Sequence, residues 1–224
     1  MSAIRLQTEF FDPLRLYHVL SEFYGPSGWW PGDSPFEIIV GAVLTQNTAW
    51  ANVEKAISNL KTADLLTVRA LDHIPEEQIA RLIRPSGYYN IKTKRLKNLI
   101  SLIIEDFGGD LERLFGLEVS ALRAILLGVN GIGNETADSI CCYAAGKPIF
   151  VVDAYTSRIL KRHDIIDDSS DYDQIQAMFE SRLPLDLGIY KDLHAYLVFV
   201  GKDYCRTRNP NCSQCPLNDL GFWR

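Results

Sequence analysis

The chain has 224 residues, 47% of them hydrophobic and 23% charged. That is length enough to bury one large core or two small ones, and it excludes a disordered or collagen-like polypeptide. No apolar run reaches the roughly 20 residues of a membrane-spanning helix, and the segment MSAIRLQTEFFDPLRL lacks the apolar block of a signal peptide, so a cytoplasmic monomer without a membrane partner is expected. The net charge of −5 argues against nucleic acid, yet Arg81, Arg84, Lys92, Lys94, Arg95 and Lys97 share a stretch with no acidic residue, which can form a local positive face.

Apolar residues recur three and four apart in nearly every segment, which predicts an all-α fold. A first helix is expected over 13–23, followed by the turn-rich GPSGWWPGDSP. Ser34, Pro35 and Glu37 then spell a capping box with proline at the first helical position, opening FEIIVGAVL, a helix apolar on almost every side and therefore central to a core. Further helices are predicted over 50–60, 76–83, 91–107 and 120–127. After Gly146, Lys147 and Pro148, the run IFVV reads as a short strand leading into Asp153 and another helix, with two more over 172–181 and 191–200. Cys141 and Cys142 fall in an apolar stretch and read as small buried hydrophobes. An odd total of five cysteines speaks against a disulfide framework.

The most informative segment is LGVNGIGNETA, between two helical patterns. Gly131 and Gly133 flank Ile132, which lets the backbone turn sharply and come close to another group, while Ile132 plugs into the core. The amides of this turn and of the helix beginning after Asn134 suit a phosphate oxygen, although taken alone the pattern also fits an ordinary helix–helix turn. Twenty residues beyond Gly133 stands Asp153, at the expected N-cap of the next helix. Capping is a sufficient reason for an aspartate, but a carboxylate held by backbone amides is also ionised and able to stabilise positive charge.

The hairpin, the following helix and VVD together resemble the helix-hairpin-helix DNA glycosylase superfamily, in particular its endonuclease III branch. LTQNT, GYYNIKTKRL, GVNGIGNETAD, VVDAYTSRI and the C-terminal cysteines occur in the order and approximate spacing of that family. The resemblance implies a helical barrel domain over 35–146 carrying the hairpin 128–134, and a second helical domain made of 1–34 and 147–224, with a DNA-binding cleft between them. It also implies that Asp153 is the catalytic carboxylate, assisting loss of the base and activating the nucleophile. Where bifunctional members carry a Schiff-base lysine, this chain has Glu135, so water is expected to attack and to leave an abasic site.

The expected partner is double-stranded DNA holding a lesion or mismatch, with the target nucleotide flipped out. The resemblance assigns Gln46 to the gap left behind and the turn Gly87, Tyr88, Asn90 to the opposite wedge, with Asn47 also expected to bind DNA. Lys92 and Lys94 are expected near the DNA backbone, and Gly131, Ile132, Gly133, Asn134 and Thr136 at the hairpin contact. Trp29, Trp30, Pro31, Trp50 and Glu135 resemble the base pocket of the 3-methyladenine glycosylases within this branch, where aromatic faces stack a cationic base. The alternatives are a glycosylase for mismatched T, U or A or for oxidised pyrimidines, and a helix-hairpin-helix DNA binder without catalysis.

Cys205, Cys212 and Cys215 reproduce three of the four ligands of the family's [4Fe-4S] loop, 205–221 here, but the fourth position is Gly221. Four thiolates are the usual requirement. Three readings stay open: a labile cluster completed by water or Asp219, a zinc site, or a relic loop.

Overall fold

The computed structural model describes residues 11–218, and among them every regular element is helical. They divide into two compact units, one spanning Pro31–Lys147 and the other built from 11–30 and 148–218.

In the first unit, α2 (Pro35–Leu44) packs against α3 (Trp50–Thr62), α6 (Tyr89–Phe107) and α9 (Asn134–Ser139). Eight of its ten residues are buried, as an all-round apolar helix requires. Ser34 caps it by accepting the Glu37 amide at 3.2 Å. The reciprocal half of the expected capping box lies one residue earlier: Glu37 accepts the Asp33 amide at 3.0 Å and pairs with Lys61 of α3 at 2.7 Å. The buried glutamate thus ties the turn after Pro31 to α3.

Two short helices, α4 (Val68–His73) and α7 (Leu111–Phe115), were not signalled by periodicity. Five or six residues are too few for a moment to develop. The linking elements are α5 (Glu76–Leu82) and a 3-10 turn over Arg84–Ser86. The hairpin joins α8 (Val119–Leu127) to α9, which runs on into a π turn over Ile140–Ala144. Arg123 of α8 clasps the fully buried carboxylate of Asp138 on α9 through two nitrogens, at 2.7 and 3.3 Å. Such a two-pronged bond fixes orientation as well as distance. Cys141 and Cys142 are fully buried, and burial pushes the Cys141 thiol up to about 12, which makes it inert.

In the second unit, α12 (Leu187–Asp203) packs against α1 (Pro13–Tyr24) and α10 (Ala154–Arg162) around a core that includes Leu16, Leu20, Phe150, Ile159, Phe179 and Leu197, with α11 (Tyr172–Glu180) alongside. The segment IFVV is buried but is not a strand. Its backbone pairs with side chains of α11 instead: Glu180 accepts the Phe150 amide, Gln176 donates to the Phe150 carbonyl, and the Tyr172 hydroxyl accepts the Val152 amide. Polar groups of a buried extended run need partners, and here a neighbouring helix supplies what a second strand would. Among the described residues no helix is long and apolar enough to cross a membrane.

Candidate active site and hairpin

Asp153 is the N-cap of α10, with extended backbone. Its Oδ1 accepts from the Thr156 amide at 2.7 Å and from the Thr156 hydroxyl at 2.8 Å. Both bonds fall on one oxygen. The other, Oδ2, has no hydrogen-bond donor among the described residues, and the nearest polar atom recorded opposite it is Nε2 of His194 at 3.7 Å, beyond hydrogen-bond reach. Asp153 is 8% exposed. The cap therefore holds one oxygen and leaves the other uncommitted, an arrangement able to face developing positive charge or to take a proton from water. His194 lies on α12, fully enclosed, and burial pulls its imidazole below the ordinary histidine range despite Asp153. Sequence gave no cue to it, because a single histidine in LHAYLVFV reads as core.

In the hairpin, Gly131 has a φ of +95°, and a Cβ there would collide with the aliphatic chain of Arg95. Gly133 is different: it caps α9 with a negative φ, and nothing lies within 4 Å of where its Cβ would be. Ile132 is buried as expected. The Asn130 carbonyl accepts from Asn98 at 3.0 Å. Gln46 donates to the Gly131 carbonyl at 3.2 Å and to the Thr136 hydroxyl at 2.9 Å, while its own carbonyl oxygen accepts from Arg95. Gln46, Arg95, Gly131 and Thr136 thus form one network, with the buried Thr136 at its base. Asn134 stands half-buried and Glu135 exposed in the first turn of α9.

Lys92 requires a correction. Rather than reaching a phosphate, it is 1% exposed and donates to the Leu44 carbonyl, the Thr48 hydroxyl and the Ser86 carbonyl at 2.6–2.8 Å. Burial, with Arg95 nearby, pulls its ammonium down to about 8. Lys92 is a structural clamp between the end of α2 and the turn before α6. The basic stretch is likewise less free than its count suggests: Lys97 is spent on the carbonyls of Asp72 and Ile74, and Arg95 on Gln46. Arg81, Arg84 and Lys94 stay exposed, with Glu76 and Glu77 beside Lys94.

The turn before α6 presents Gly87 at φ +66° and Tyr88 in the left-handed region at φ +45°. Tyr88 is 69% exposed, and the neighbouring Asn90 is exposed too. Asn47, exposed at φ +52°, follows Gln46 in the loop after α2. Trp50 and Pro31 line one cavity of about 420 Å³ together with Glu37, Glu54 and Lys61. In the other unit, the rings of Trp29 and Trp30 lie 5.5 Å apart, with Trp29 also edge-on to Phe199.

The three tail cysteines sit differently from one another. Cys205 is buried and its Sγ accepts from Arg162 at 3.3 Å; Cys212 is exposed; Cys215 is half-buried, its thiol pushed up by burial and by its two neighbours. Positions 219 and 221 lie outside the described residues. Among the described residues no group of three or more His, Cys, Asp or Glu is arranged to hold a metal ion. Three thiols do not meet the four-thiolate requirement of a [4Fe-4S] cluster. The loop is secured by protein contacts, with Arg158 donating to the Gly201 and Cys205 carbonyls and Arg162 to those of Arg206 and Thr207.

Residues 40–185 match the family model described as HhH-GPD superfamily base excision DNA repair protein. The chain belongs to this superfamily. It is 45% identical over 207 residues to a protein of Methanocaldococcus jannaschii described as a candidate DNA repair glycosylase, a match covering 92% of this chain and 94% of the other. It is 28% identical to endonuclease III of Bacillus subtilis, over 84% of this chain and 80% of that one. Among solved structures, the H. pylori 3-methyladenine DNA glycosylase bound to 1,N6-ethenoadenine superposes with a TM-score of 0.73 at 32% identity, covering 84% of this chain and 96% of that one. A non-covalent endonuclease III–DNA complex superposes with a TM-score of 0.75 at 22% identity, over 96% of each chain, which bears on the fold. As an HhH-GPD protein of the endonuclease III branch, the chain is a DNA glycosylase of base excision repair.

Proposed function

We propose that this HhH-GPD glycosylase hydrolyses the N-glycosidic bond of a flipped alkylated purine, such as 3-methyladenine, without cutting the strand. The observation that carries the reading is the divided carboxylate of Asp153: Oδ1 is held by Thr156 and Oδ2 is uncommitted. As the base departs, positive charge builds on the sugar, and the ionised carboxylate stabilises it and then orients water for attack at the anomeric carbon. An alkylated purine already carries positive charge and leaves readily, so a single carboxylate suffices.

Glu135 supports hydrolysis over lyase chemistry, because a carboxylate cannot form the Schiff base that a lysine at this position would form. Trp50 and Pro31, which wall one cavity, and, within the other unit, the paired rings of Trp29 and Trp30 are each faces of the kind on which a cationic base stacks. Gly133, with open space around it, admits a phosphate to the amides of the hairpin. Tyr88 and Gln46 enter the duplex from their loops, Gln46 after letting go of the hairpin, with Asn47, Asn90 and Lys94 along the backbone.

The reading is tested by base release from duplexes carrying methylated purines, uracil, a G·T mismatch or thymine glycol. Release of the alkylated purine with an intact, alkali-labile abasic strand is expected. Release confined to uracil, thymine or thymine glycol would move the enzyme to another substrate class of the same family.

A further inference from the structure

Resting on the reading of Asp153 as the catalytic carboxylate, we infer that His194 is a positioning residue for this reaction. Its Nε2–H faces the uncommitted Oδ2 and donates to it when the site tightens around substrate. The two residues lie in one unit, on helices α12 and α10 that pack against each other. Both side chains are at least nine-tenths buried, and Nε2 and Oδ2 stand 3.7 Å apart. That gap exceeds a hydrogen bond by less than 1 Å, the sort of looseness that catalytic bonds show before substrate binds.

The partition of the carboxylate gives His194 its role. Thr156 fixes Oδ1 from the helix side, so rotation about the side chain is limited but the direction of Oδ2 is governed from across the site. A donor there favours the ionised acid and aims the second lone pair toward the sugar. Asp153 is the charged group whose field reaches His194. From α1, packed on another side of α12, Tyr17 and Tyr24 turn their rings toward Tyr196. Burial lowers the tendency of the imidazole to take up a second proton, so a proton carried on Nε2 is donated without bringing a cation that would repel a positively charged base.

The test compares His194→Phe, which keeps the volume and removes the donor, with His194→Gln, whose amide reaches a similar point, in single-turnover base release over a pH series. His194→Phe should slow release about tenfold with DNA affinity unchanged, and should move the acid limb of the profile about one pH unit upward, because the carboxylate has lost a donor that favours its ionised form. His194→Gln should recover most of the rate and the limb. Wild-type rate and limb in the phenylalanine variant would overturn the inference.

Nitrogen NMR of the ¹⁵N-histidine-labelled wild-type enzyme gives an answer independent of any variant's folding. A neutral ring protonated at Nε2 is expected for His194 at pH 7; a ring protonated at Nδ1 alone, or an imidazolium, would overturn the inference. Asp153→Asn, assayed alongside, separates the two levels. If it retains turnover the underlying reading fails, whereas if it is inactive and His194→Phe is unaffected, only the role of His194 falls.

Discussion

The side chain of Arg95 occupies the space that a Cβ on Gly131 would need, whereas the space around Gly133 is open. Two glycines of one hairpin are therefore glycine for different reasons. Gly131 is required by its own fold, through a φ of +95° and the packed arginine. Alanine at Gly131 should destabilise the protein by about 2 kcal/mol, from left-handed strain and the displaced arginine. Alanine at Gly133 should leave the melting temperature nearly unchanged and weaken DNA binding, since the intruding methyl group meets only what docks there. Thermal melts paired with DNA titrations check both, and a Gly133→Ala protein that melts early but binds normally would reverse the assignment.

Lys92 should behave as part of the scaffold. Lys92→Met takes the buried ammonium from the Leu44 carbonyl and leaves the Ser86 carbonyl with the Thr48 hydroxyl alone, an expected loss of about 2 kcal/mol in chemical denaturation. The pH dependence has a definite sign. The folded state holds the ammonium at about 8 and an unfolded lysine at 10.5, so between those values the unfolded chain binds more protons and the contribution of Lys92 to stability rises with pH. The gap between wild type and Lys92→Met should widen from pH 8 toward pH 10, and a gap that narrows would contradict the burial argument.

Glu135 predicts the form of the product. Borohydride reduction during turnover should trap no covalent enzyme–DNA complex, and the product strand should break only after alkali or heat. A trapped complex would show that an amine elsewhere in the chain attacks the sugar.

The all-helical fold is legible in the sequence. FEIIVGAVL reads as a buried helix because it has no polar face, and glycine spacing marks the hairpin; of Asp153 the residues alone show a helix cap, its catalytic reading coming from the family resemblance. IFVV misled because a buried extended run has the same composition whether a strand or the side chains of Tyr172, Gln176 and Glu180 satisfy its backbone. Lys92 misled because lysine at a helix start usually faces water, and nothing local says that Leu44, Thr48 and Ser86 converge on it. His194, Arg123 and Asp138 were invisible for the same reason. Their meaning lies in partners 15 or more residues away, which periodicity does not report.

The central claim is that Oδ2 of Asp153 stabilises the sugar as the base departs. Its most direct test is single-turnover release of 3-methyladenine by Asp153→Asn, measured beside the affinity of the variant for the same duplex. The amide preserves shape and capping while removing the charge, so the rate should fall at least about 100-fold with affinity equal or higher. Release at the wild-type rate would contradict the account.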